Sequence, residues 1–199
     1  MQVSPVSFGK KIPIMQCQIK DTKQNKFVTA KLSKYDCNDY KDIIEVSKSC
    51  SKWYFINNIV NNMNIKYERQ KNNQQDKIPL DFYILENEEG KTVGICETGN
   101  SKESTNIEYI VSKHDNNYKF IGQAIIAMIG KTVLDRNACR LYVANPAPSA
   151  SGFYINKCGF TRLDERSILS PLFLEKDGIE KLIKIFQYRT KSEIQDVEG

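Results

Sequence analysis

"YKFIGQAIIAMIGK", residues 118–131, decides how this chain is read. Ile121, Ile125, Met128, Ile129 and Thr132 fall on one helical stripe, with Ala124 and Val133 at its edges. Gly122 stands at the head of that stripe. Inside a helix a glycine costs about 1 kcal/mol against alanine. At a helix start, its missing side chain leaves open the first N–H groups, which have no partner within the helix. Those groups carry the positive end of the helix dipole and suit a phosphate. A tight strand-to-helix turn without a ligand would account for the same residue.

Upstream, residues 12–32 read as one or two strands, with "IPIMQCQI" and "KFVTAKL" separated by the polar turn "KDTKQN". "CNDYKDIIEVSKSC" follows as a helix, with Asn38 as N-cap and Tyr40, Ile43, Ile44 and Val46 inward. A second helix carries Trp53, Ile56, Ile59, Val60 and Met63 at helical spacing. After Pro79 the period changes to that of strands. "LDFYILENEEGKTVGICETG" is a hairpin turning at "ENEEGK", and "TNIEYIV" is another strand. The polar stretch "SKHDNN" should bulge ahead of the helix that runs from Gly122 to about Asn137. "CRLYVAN" is the next strand, and "ASGFYINKC" a short helix between Ser149 as N-cap and Gly159 as C-terminal stop. "GFTRLDE" and "ILSPLFLE" read as final strands. A closing helix places Ile179, Leu182, Ile183 and Phe186 on one face, and the tail "KSEIQDVEG" frays. The expectation is one mixed α/β domain over residues 1–199, ordered to about residue 190, with a parallel strand–helix–strand crossover from Ile107 to Asn145.

A chain of 199 residues can bury a real core, and its 40% hydrophobic and 27% charged residues are ordinary for a globular protein. No run approaches the ~18 apolar residues that span a bilayer. The first residues show no basic segment followed by an apolar run, so a cytoplasmic location without membrane contact is expected. A net charge of +5 admits an anionic partner without identifying one. The six cysteines form no CxxC pair and His114 is the single histidine, so no zinc site and no metal is expected. The cysteines read as reduced thiols, with Cys96 and Cys139 as small hydrophobes in strands. No local signature supports a cysteine nucleophile paired with His114.

"YKFIGQA" resembles the phosphate-binding turn of the GNAT superfamily of acyl-CoA-dependent N-acetyltransferases, Arg/Gln-x-x-Gly-x-Gly/Ala. Lys119 stands at the Arg/Gln position, Gly122 at the first glycine and Ala124 at the last small residue. "SGFYINKCGF" is similar to the short helix and Gly-Phe that follow the family's next strand. The likeness covers roughly residues 80–165. It implies a mostly antiparallel central sheet with a splayed parallel strand pair and helices on both faces. It also implies acetyl-CoA as cosubstrate, with its pyrophosphate on the backbone of Ile121, Gly122, Gln123 and Ala124 and on Lys119. Its pantetheine arm would lie along Ile110 and Val111, with Asn145 and Ser151 as further contacts. Gly122→Glu is expected to fill the phosphate space while the chain stays folded.

Two departures from the family pattern stand out. The stretch from Val111 to Gly122 is longer than usual, and the tyrosine that protonates the departing CoA thiolate is replaced by Ile155, with Tyr154 one residue earlier. One residue on a helix is a turn of about 100°. Tyr154 is therefore either the acid or a packing residue. Glu108 is the candidate general base, with Glu97 as the alternative, and either could simply face solvent. Tyr109 and Tyr142 line the groove or pack. The expected activity is direct acetyl transfer to a primary amine in a ternary complex. The acceptor is open between a small molecule and a macromolecule, and nucleic acid enters only as charged tRNA. A non-catalytic CoA-binding module and a toxin acetylating aminoacyl-tRNA are the alternatives, and a monomer or a homodimer is expected.

Overall fold

The computed structural model describes residues 12–35, 37, 40–74, 79–112 and 117–184. Asn38, His114, the "KHDN" part of the expected bulge, Phe186 and the tail lie outside the described residues. Strands β1 (Ile12–Asp21) and β2 (Lys26–Tyr35) form a hairpin, followed by helices α1 (Tyr40–Ser49) and α2 (Ile56–Lys71). Then come β3 (Leu80–Asn87), β4 (Thr92–Asn100), β5 (Ser104–Ser112) and the two-residue β6 (Tyr118–Lys119). Helix α3 (Ile121–Asp135), β7 (Arg140–Val143), α4 (Pro148–Cys158), β8 (Thr161–Arg162) and β9 (Leu172–Glu175) follow. A fifth helix, α5, occupies residues 176–184.

All nine strands join one sheet in the order β6-β1-β2-β3-β4-β5-β7-β9-β8. Every pairing is antiparallel except that of β5 with β7. Both faces are covered, which is why β3 and β4 are buried almost throughout rather than alternating with solvent. Alternation instead divides their side chains between two cores. Tyr83, Leu85 and Cys96 meet α3 and α4, while Phe82, Ile84 and Ile95 meet α1 and α2.

The structure corrects several helix assignments. Tyr40 and Ile44 are exposed, because Ile43 and Val46 alone suffice to seat the short α1 on the sheet. Helix α3 is not one-sided: Ile126 and Ala127 are buried with the expected stripe, since α5 and the sheet enclose it together. Ser149 lies inside α4, whose N-cap is Ala147 with Pro148 as first helical residue, the position a proline favours. Gly159 is the left-handed C-cap as expected, at φ 80. Cys139 is exposed before β7, its thiol donating to the Glu103 carbonyl, whereas Cys96 is buried. None of the six cysteines is joined to another.

Candidate active site

The sheet opens at its centre. β5 and β7 run parallel and pair only from Ser104–Arg140 to Asn106–Tyr142. Beyond Asn106, β5 keeps β4 as its sole strand neighbour among the described residues. The parting is fixed by a side chain: Asn106 Oδ1 accepts from the Ala144 N–H at 3.0 Å, and its Nδ2 donates to Glu108 Oε1 at 2.6 Å. In the same place the β4–β5 register steps from Thr98–Ile107 to Glu97–Tyr109, leaving Glu108 as a bulge residue. A bulge puts one residue outside the ladder and re-aims its neighbours. Ile110 packs toward the α3 side and Val111 is buried toward α1 and α2, so both backbones run along the open edge.

Helix α3 begins at the far end of that edge. It starts at Ile121, one residue before Gly122, because Phe120 is left-handed at φ 68 and turns the chain into the helix. A left-handed residue followed by helical ones converges successive N–H groups into a concavity that suits an anion. Among the described residues, no carbonyl outside the helix accepts from the N–H of Ile121, Gly122 or Gln123, while Ala124 donates to the Phe120 carbonyl at 2.8 Å. Lys119, exposed on β6, stands directly opposite Lys20 on β1. Two like charges so paired destabilise a ladder, and an anion between them would relieve it.

Gly122 has a packing reason that the sequence alone conceals. A Cβ built there would lie 2.8 Å from Phe153 Cζ, so the α4 ring occupies the space a side chain would take. A Gly122→Glu side chain would therefore meet Phe153 as well as the phosphate space.

Glu97 lies 1% exposed on β4, where Asn62 Nδ2 of α2 donates to its Oε1 at 2.8 Å. Its Oε2 is buried with no partner among the described residues. Burial pushes the carboxyl up to about 7, the Asn62 bond opposes this, and the nearby Glu108 charge adds to it. Glu108 is exposed. Tyr109 accepts from Asn58 Nδ2 at 3.2 Å and packs its ring on Phe55, itself left-handed at φ 63 at the start of α2.

Tyr154 is 5% exposed, edge-on to Phe153 and Phe160, and burial raises its pKa with the Cys96 and Cys158 thiols contributing. It is thus both a packing ring and a phenol held protonated. Ile155 is half-buried against the same core. Ser151, one turn before Ile155, is buried with an unpartnered Oγ. Asn145 is exposed just past β7, and the Tyr142 ring faces Phe173 rather than the opening. Among the described residues no cluster of three His, Cys, Asp or Glu could hold a metal, and no helix is long and apolar enough to cross a membrane.

No protein-family model matches the sequence, and no curated protein matches it. Solved structures do match in shape. Apo FdhC, a nucleotide-linked sugar GNAT, superposes with a TM-score of 0.57 over 88% of this chain and 97% of that one, at 10% identity. The PaiA N-acetyltransferase of Thermoplasma acidophilum in complex with coenzyme A gives 0.48 over 73% and 98%, at 16% identity. The ribosomal-protein-S18-alanine N-acetyltransferase of Escherichia coli gives 0.47 over 73% and 93%, at 11% identity. The two looser likenesses carry no argument. The first, with the mostly antiparallel sheet and its one parallel pair, defines the class: the chain has the GNAT fold. At such identity the likeness extends to the fold and no further.

Proposed function

We propose that the protein transfers an acetyl group from acetyl-CoA to a primary amine. The observation that carries this reading is the parting of β5 from β7 after Asn106, with unpartnered N–H groups of α3 at the far end of the opening. The residues fit the cosubstrate. The N–H groups of Ile121, Gly122 and Gln123 and the opposed Lys20 and Lys119 suit a pyrophosphate. The exposed edge of β5 at Ile110 and Val111 can pair with amides, and the unpartnered Ser151 hydroxyl offers one more polar contact. When bound, acetyl-CoA supplies the acetyl group as a thioester, whose C–S bond breaks as the new C–N bond forms.

The chain's own groups handle the protons. Glu97, rather than the exposed Glu108, is the base: a carboxyl poised near 7 can accept the amine's proton, directly or through water, at neutral pH. The bulge at Glu108 frees backbone from the ladder to polarise the thioester carbonyl. Tyr154, held protonated by burial, gives its proton to the departing thiolate and recovers one from solvent. Release of free thiol from acetyl-CoA with a panel of amines tests the reading. Amine-dependent thiol release is expected, and its absence across the panel together with failure to bind acetyl-CoA would overturn it.

A further inference from the structure

On the α2 side of the sheet, Glu97 and Tyr109 face each other across the β4–β5 ladder, and α2 closes over them. Asn62 Nδ2 donates to Glu97 and, one turn earlier, Asn58 Nδ2 donates to Tyr109. Glu108 shares that side. Ile107 packs on the α3 side and Thr105 meets Arg136 there, Asn106 and Glu108 bond each other, and the bulge turns Glu108 the same way as Tyr109. Facing strand residues lie about 5 Å apart and consecutive ones about 3.8 Å, so the two carboxyl groups stand roughly 5–8 Å apart. Among the described residues neither has a cationic partner: Glu97 Oε2 is buried and unpaired, and Glu108 is bonded to the neutral Asn106. The first two turns of α2, which cover them, carry no charged residue. Beside the pair lies an aromatic patch. Tyr54 and Phe55 are 69% and 44% exposed, with ring centroids 4.2 Å apart, and the Phe55 ring lies 5.7 Å from that of Tyr109. Phe55 keeps this place at φ 63, a strained backbone for a bulky side chain.

We propose that the acceptor is a diamine: one nitrogen reacts beside Glu97, and the second, as ammonium, is held by Glu108 and the ring faces of Phe55 and Tyr109. An acceptor with a plain apolar body would cover the rings but strip water from Glu108 without answering its charge. A second ammonium answers that charge, and the ring faces attract the same cation. Glu108 is held by Asn106 where β5 parts from β7, so the two nitrogens lie along the edge of the opening. The reacting nitrogen takes the acetyl group as the C–S bond breaks and gives its proton to Glu97, while the second keeps its charge throughout. The inference rests on the acetyltransferase reading for the site's chemistry, and adds to it the class of acceptor.

Tetramethylenediamine and n-pentylamine form a matched pair of probes, since a methyl group replaces the second ammonium, and phenethylamine supplies an aromatic body with a single charge. Each is titrated calorimetrically into the protein, alone and loaded with CoA, and each is assayed for acetyl-CoA-dependent acetylation. The expected result is about tenfold tighter binding and about tenfold lower KM for the diamine, with kcat little changed. Glu108→Gln, at an exposed position, should abolish the preference, and Phe55→Leu, which removes the ring face and keeps an apolar side chain, should reduce it. Equal binding of diamine and monoamine, tighter binding of phenethylamine, binding of none, or a preference that survives Glu108→Gln overturns the proposal. Binding of acetyl-CoA is measured on the same sample. If acetyl-CoA binds and the probes do not differ, the acceptor inference fails alone. If acetyl-CoA does not bind, the acetyltransferase reading fails, and the preference of the unloaded protein for diamine over monoamine still decides whether this face takes a second cation.

Discussion

Replacing Glu97 by Gln should change how stability depends on pH, and the size of the change follows from the site. The Glu97 carboxyl is raised from 4.5 to about 7, chiefly by burial. A carboxyl raised in the folded state stays protonated there while its unfolded counterpart ionises. The cost is therefore absent below about pH 4.5, grows as pH rises, and is complete above about pH 7. At 1.36 kcal/mol per tenfold in proton affinity, the difference amounts to about 3 kcal/mol. Gln keeps the acceptor for Asn62 Nδ2 but places an NH2 where Oε2 has no partner. That change costs about 1–3 kcal/mol at every pH, so it cancels in a difference between pH values. Urea unfolding at several pH values, extrapolated to water, reads the outcome. From about pH 4 to about pH 8 the parent should lose about 3 kcal/mol relative to Glu97→Gln. Parallel stability profiles for the two proteins would refute the buried, raised carboxyl, and with it the assignment of Glu97 as base.

Further expectations concern α4. Gly122→Ala should destabilise the protein by about 1–3 kcal/mol through overpacking on Phe153, and the cost should largely vanish in a Phe153→Ala background. Strictly additive unfolding energies in that double-mutant cycle would contradict the contact. Tyr154→Phe should leave acetyl-CoA affinity unchanged in calorimetry and lower turnover by about 10²–10⁴-fold. Normal turnover across the pH range would reduce Tyr154 to a packing ring and assign the thiolate's proton to water.

The central strands were legible because period and turn residues agree: "ENEEGK" closes the β3–β4 hairpin where it should. The parallel pairing of β5 with β7 was legible from the helix between them. β6 was not, since two residues carry no period and Tyr118–Lys119 becomes a strand through its pairing with Asp21 and Lys20 on the distant β1. The exposure of Tyr40 and Ile44 was hidden for a related reason: periodicity places residues on a face, but how wide a face is covered depends on what packs there. At the site, the sequence pointed to the start of α3 but could not show that Phe153 also takes the space beside Gly122, because that ring arrives from another helix. Glu97 could be noticed within "GICETG", but its depth comes from α2, which brings Asn62 over it.

Calorimetric titration of acetyl-CoA into the protein tests the central claim most directly. Binding at one site per chain is predicted, with the folded form stabilised by about 2.7 kcal/mol at a hundredfold excess over Kd. Charge reversal at the opposed lysines, Lys20→Glu with Lys119→Glu, should weaken that binding while the fold is kept. No heat of binding and no stabilisation at millimolar acetyl-CoA would contradict the account.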